Sequence, residues 1–111
     1  MAQSLELVKG TLDVLVLKTL SWSALHGYAI TRWIRQQTGG RLEVEDAALY
    51  QALHRLERRG LVRSEWGLSE NNRRAKYYEL TERGRKQLSA DTVRWQSYAQ
   101  AVFSVLDAEQ A

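Results

Sequence analysis

The stretch DAALYQALHRLERRGLV, residues 46–62, constrains the fold more than any other part of the chain. Leu49, Ala52, Leu53 and Leu56 recur at i, i+3, i+4 and i+7, which places all four on one side of a helix and asks for an apolar neighbour there. Half a turn of the wheel away lie Ala47, Gln51, His54, Arg55 and Arg58. One face is therefore for a core, and the other is cationic. Asp46 in the first turn and Arg58 and Arg59 in the last match the helix dipole, and Gly60 stands where a left-handed cap is wanted. Dipole matching alone accounts for the last-turn arginines, so the cationic face has two readings at this point: a solvated surface, or a surface for a polyanion.

The core that such a helix needs must come from the rest of a chain of 111 residues, enough for one packed unit. Apolar residues make up 44% and charged residues 26%, the balance of a folded protein. Residues 11–22 are apolar at Leu12, Val14, Leu15, Val16, Leu17 and Leu20, wider than one stripe, and predict a central helix covered on most sides. Residues 28–37 set Ile30, Trp33 and Ile34 at helical spacing, and Gly39-Gly40 ends them. His26 before Gly27 reads as a local cap or turn residue.

After Gly60 the period changes. LVRSEWG (61–67) and AKYYELT (75–81) are short aromatic or β-branched runs with partial alternation, separated by the polar LSENNRRA. They predict an antiparallel hairpin with a connection of about eight residues, too long for a tight turn, whose projecting tip carries Arg73, Arg74 and Lys76. Tyr77 and Tyr78 fall on opposite strand faces, one for the core. Thr81 is a fitting N-cap for a long helix running to about Leu106, with Gly84 a weak point near its start. Within that helix Leu88, Thr92, Trp95, Ala99, Val102 and Leu106 alternate steps of four and three, the seam of a coiled coil, with Tyr98, Ala101 and Val105 as a second apolar edge. So small a chain has little left to cover both edges, and self-association is expected to do so. Trp22, Trp33 and Trp66 read as packing residues, and Trp95 as buried in the dimer interface.

The fold class expected is mainly α with a small antiparallel β-hairpin: a winged helix-turn-helix over residues 1–80, and a C-terminal dimerisation helix over 81–111 packed on the same single domain. The net charge of +3 is unevenly placed, since residues 55–86 hold ten basic and five acidic side chains. A basic middle on such a layout points to double-stranded DNA. Gln51 can pair with adenine and Arg55 or Arg58 with guanine, His54 can donate to an acceptor edge or a phosphate, and the wing cations can lie along phosphates or reach into a minor groove. Arg55 has an equally good alternative in a neighbouring carboxylate.

Other classes are disfavoured. There is no cysteine and there are two histidines, so neither a metal site nor a cofactor is expected. No nucleophile elbow, P-loop or dinucleotide glycine pattern occurs, and the chain does not read as an enzyme. The longest aliphatic run, VLVL at 14–17, is far short of a membrane span, and no signal pattern opens the chain; a cytoplasmic location is expected.

Three segments together carry a family likeness: HGYAI at 26–30, ALYQALHRLERRGLV at 48–62 and RRAKYYELTERGRKQL at 73–88. In this combination and separation the chain resembles the PadR family of bacterial transcriptional regulators over about residues 7–106, and by its length the short subfamily with one C-terminal helix. The resemblance implies a winged helix-turn-helix that dimerises through its last helix and represses promoters, often releasing DNA when a small molecule binds; the two-fold geometry of such a dimer predicts a roughly palindromic operator. It implies DNA-facing roles for Tyr50, Gln51, His54 and Arg55, and a basic wing at Arg73, Arg74 and Lys76. Trp95 matches an interface tryptophan of multidrug-binding members, where paired indoles hold flat aromatic ligands, and Val14, Lys18 and Ala99 match the lining of that cavity. A planar aromatic effector is thus the implied small-molecule partner. The chain departs from the family pattern at Ala48, commonly Ser or Thr, at Gln51, commonly Pro, and at the wing tip, where ENNRRA replaces a Gly-rich turn. With a hydroxyl missing at Ala48 and a modest net charge, a winged-helix dimer working mainly as a protein-interaction or small-molecule-binding module stays open as the alternative. Salt dependence of DNA binding separates the two.

Overall fold

The computed structural model describes residues 5–8 and 10–110. The ends of the two expected units, residues 1–4 and 111, lie outside the described residues, as does residue 9. The chain runs α1 (Thr11–Thr19), β1 (Leu25–His26), α2 (Gly27–Gln37), α3 (Asp46–Arg58), β2 (Val62–Leu68), β3 (Arg74–Leu80) and α4 (Glu82–Leu106). It is the expected class, four helices with a small antiparallel sheet.

The period of α3 predicts its burial well. Leu49, Ala52, Leu53 and Leu56 are all fully buried, packed with Val16, Leu17 and Leu20 of α1, Ile30 and Ile34 of α2, and Val62, Tyr78 and Leu80 of the sheet. Each such aliphatic side chain contributes about 1.5–3 kcal/mol relative to leaving it exposed. Helix α1 touches α2, α3 and α4, the central position its wide apolar band requires.

Helix α1 stops three residues short of the expected Trp22. The Ser21 N–H and hydroxyl both bond the Lys18 carbonyl, at 3.0 and 2.7 Å, which closes the last turn. Trp22 then leaves the helix axis, stacks on Trp33 at 5.2 Å between ring centroids, and receives the Lys18 ammonium over its own ring at 4.6 Å. It is exposed, so of the three tryptophans expected to pack, Trp33 does, whereas Trp22 and Trp66 lie at the surface.

The sheet has one strand more than expected. Leu25 and His26 pair with Tyr78 and Tyr77, giving the order β1-β3-β2; two residues are too few to show a period. His26 also caps α2, its Nδ1 accepting from the Ala29 N–H at 3.2 Å, the expected local role. The strands have the expected seven residues each but sit one residue nearer the tip, and the connection is shorter than the eight residues expected. Val62 pairs with Leu80 and Leu68 with Arg74, leaving residues 69–73 as the turn. Asn72 adopts φ 58°, and its N–H bonds the Ser69 carbonyl at 2.8 Å, while the Ser69 N–H bonds the Arg73 carbonyl. An asparagine tolerates this left-handed conformation, so the turn closes without the glycine that is absent from ENNRRA. Tyr78 is buried and Tyr77 half-buried, as strand alternation demands.

Thr81 caps α4 by accepting from the Gly84 N–H at 3.1 Å, and its own hydroxyl donates to the Gly60 carbonyl at 2.6 Å. Gly60 takes the left-handed conformation at φ 74° that lets α3 end there. Gly84, a poor helix former by composition, is required by packing: a Cβ at this position would stand 2.0 Å from the Leu61 carbonyl oxygen.

Candidate nucleic-acid interface

Helix α3 turns Tyr50, Gln51, His54, Arg55 and Arg58 to solvent, and together they line one shallow surface. The hairpin stands beside it. Along β2 and β3 the alternation that buries Val62, Tyr78 and Leu80 sends Trp66, Arg74 and Lys76 to the same face of the sheet, above the core and towards α3. The Ser64 hydroxyl, on that face, donates to Glu57 of α3 at 2.7 Å and ties the wing to the helix. The result is a groove of about 640 Å³ with Tyr50 and His54 on the α3 side, Arg73, Arg74 and Lys76 on the wing side, and His26 at its end.

The expected DNA-facing residues are thus gathered around one groove and its α3 rim, from segments as far apart in sequence as Tyr50 and Lys76. Their electrostatic states differ. Arg58, Arg73, Arg74 and Lys76 form no ion pair with any described residue. The guanidinium of Arg74 lies over the Trp66 ring, 4.3 Å from its centroid, and the Lys76 ammonium lies 5.7 Å from that of Tyr78. Such stacking steadies a cation without neutralising it. Arg55, in contrast, donates from Nη2 to Asp13 Oδ1 at 2.7 Å, so of its two readings the carboxylate partner is the one realised in the free chain. That hydrogen bond, opposed in part by desolvation and aided by the Asp13 charge, raises the Arg55 pKa further. Burial, with help from the Glu57 charge, pushes the Tyr78 hydroxyl above the ordinary tyrosine range.

Residue type alone puts Trp66 in the core, and its presence in the groove corrects that expectation. It is 55% exposed. Its pairing with Lys76 across the hairpin, two residues from Arg74, is the signal that could have found it. Asp13 carries no signal of its own, because its partner stands 42 residues away.

The seam expected in α4 is split. Leu88 packs against the core of its own chain, and Thr92, Trp95 and Ala99 are half-buried along the stretch of α4 that crosses α1. Val102 and Leu106 lie beyond α1, where Phe103 and Val105 are exposed as well. The first half of the stripe is consumed within the chain because α1 needs cover. Of the residues matched to a ligand cavity, Val14 and Trp95 do line one, about 430 Å³ between α1 and α4, together with Tyr98, Asp13, Asp91 and Arg59. Trp95 and Tyr98 meet edge to face at 6.1 Å. Lys18 and Ala99 do not line it; the Lys18 ammonium is drawn to Trp22. Among the described residues no three His, Asp or Glu side chains gather as a metal site requires, and no helix is long and apolar enough to cross a membrane.

Known proteins share this fold. Residues 16–90 match the transcriptional regulator PadR-like family. The fold superposes on a transcriptional regulator from Clostridium thermocellum with a TM-score of 0.77 and 29% identity, covering 85% of this chain and 91% of that one. It superposes on a PadR family transcriptional regulator from Eggerthella lenta with a TM-score of 0.76 and 30% identity, covering 91% and 86%. An uncharacterised protein of Lysinibacillus sphaericus is 27% identical over 90 residues, 81% of this chain and 83% of its own length. With its helix-turn-helix, its wing and the cations between them, the chain belongs to the PadR-like family and is a DNA-binding transcriptional regulator.

Proposed function

We propose that the chain acts as a homodimeric repressor that holds a palindromic operator by its wing and reads it with α3. The observation that carries this reading is the set of cations without an ion pair among the described residues, Arg73, Arg74 and Lys76 lining one groove and Arg58 on its α3 rim. Phosphate contacts from the wing fix register without reading sequence, while Gln51, His54 and Arg58 face base edges. Tyr50 stands at the rim between the two. Two copies joined through the exposed end of α4 would space two such surfaces about one helical turn (~34 Å) apart, the geometry of a two-fold operator. The interface would take Val102 and Leu106 with their exposed neighbours Phe103 and Val105, and draw on Thr92, Trp95 and Ala99 at its edge, whereas Leu88 stays with its own core. A planar aromatic effector suits the cavity between α1 and α4, where Trp95 and Tyr98 offer ring faces and edges and Val14 an apolar wall.

The test is selection of bound duplexes from a random pool, repeated with planar aromatic compounds, together with salt titrations. Arg73→Ala with Arg74→Ala is expected to weaken binding to all duplexes alike and to reduce the log–log salt slope by about 0.9 for each phosphate left without its cation. Unchanged binding to selected and random duplexes would remove the wing from the mechanism. Recovery of sites without two-fold symmetry would remove the dimeric operator.

A further inference from the structure

Among the arginines and lysines that line the groove and its α3 rim, Arg55 differs from Arg58, Arg73, Arg74 and Lys76 in having an ion-pair partner among the described residues. Its side chain is 44% exposed and follows Gln51 by one helical turn, yet its guanidinium is turned away from the groove, to Asp13 of α1. Asp13 is the better shielded of the two, 24% exposed, and it sits in the first turn of α1, where the helix dipole favours a carboxylate. The carboxylate is therefore the anchor, and the arginine is the arm that is held.

Affinity for DNA without regard to sequence follows the number of cations that can displace counterions from phosphates. A guanidinium already bonded to a carboxylate is a poor member of that set, because a phosphate must displace an existing charge-assisted hydrogen bond. Contacts to base edges from Gln51 and its neighbours are not reduced by the same pairing.

We propose that Asp13 sets the sequence-independent affinity of the protein for DNA by acting through Arg55: by holding this guanidinium against α1 it withholds one cation of α3 from the phosphates. The proposal rests on α3 being the helix that enters DNA.

The experiment is a salt titration of binding to a labelled random-sequence duplex, using full-length protein and the variants Asp13→Asn, Asp13→Ala, Asp13→Glu, Arg55→Ala and the double variant Asp13→Asn with Arg55→Ala. Asp13→Asn is expected to bind several-fold more tightly at low salt, with a slope steeper by about 0.9, the value of one phosphate contact. Asp13→Ala, which removes the acceptor altogether, must repeat that effect. Asp13→Glu, which keeps the acceptor, should behave as wild type. Arg55→Ala should leave the slope as it was, and the double variant should match Arg55→Ala. The proposal is overturned if neither neutral variant steepens the slope, or if the gain survives in the double variant, since the loss of any negative charge near DNA then explains it. It is overturned too if Arg55→Ala flattens the slope on its own, because Arg55 would already be on a phosphate. Arg73→Ala with Arg74→Ala, run in parallel, separates these outcomes: if the wing variant also leaves the slope unchanged, the interface has been misplaced and not merely the role of Asp13.

Discussion

Helices α3 and α4 have nearly the same apolar period and opposite fates. In α3, Leu49, Ala52, Leu53 and Leu56 reach complete burial because α1, α2 and the sheet close over them, and the polar side is left to solvent. In α4 the first turns are used against α1, but Val105 is 76% and Leu106 70% exposed at the far end. A stripe of apolar residues states a need for a neighbour and does not say whether the same chain supplies it. In α3 the need is met internally, so its exposed face can be read as functional. In α4 it is unmet, so the exposed face is itself apolar, the condition under which a second copy is the natural cover.

That comparison can be broken most forcefully at the buried stripe. Leu56→Ala is expected to cost about 2–5 kcal/mol in urea unfolding, the range for a large core truncation. A cost near zero would mean that α3 is not closed over as described. Leu106→Ala should cost about 1.5–3 kcal/mol of dimer stability if that side chain is buried between subunits, measured by sedimentation, while leaving the unfolding of the dissociated chain almost unchanged. An effect of the same size on the lone chain would erase the distinction between the two helices. On the polar side of α3, Gln51→Ala should relax sequence preference by about 1–3 kcal/mol without altering the salt slope. Equal discrimination by the variant would show that this face does not read bases. The smallest effect is expected at the junction of the two regions, where Thr81→Ala removes the α4 cap for about 1 kcal/mol, seen as a lower unfolding midpoint with DNA binding retained.

How much is legible follows from range. The buried face of α3, the Thr81 cap, the left-handed Gly60, the role of His26 and the opposite faces of Tyr77 and Tyr78 depend on residues within a turn or a strand of one another, and each is found where the local pattern puts it. Trp22 and Trp66 escape such reading because residue type alone implies burial, whereas each is held at the surface by a cation stacked on it, Lys18 or Arg74. Gly84 looks like a weakness in the sequence and is a necessity in the fold, because the chain behind it approaches too closely for any side chain.

By itself, then, the order of residues determined the four helices and the hairpin, the face that α3 buries, the basic character of the wing and the family. Tertiary structure alone decided that Arg55 is held by Asp13, that Trp66 lines the groove, and that the stripe of α4 divides at Ala99 between α1 and open solvent. The physical reason is common to all three. Periodicity records which way a side chain points, but a charge or a ring is answered by whatever the crossing of distant helices and strands brings within a few ångströms of it.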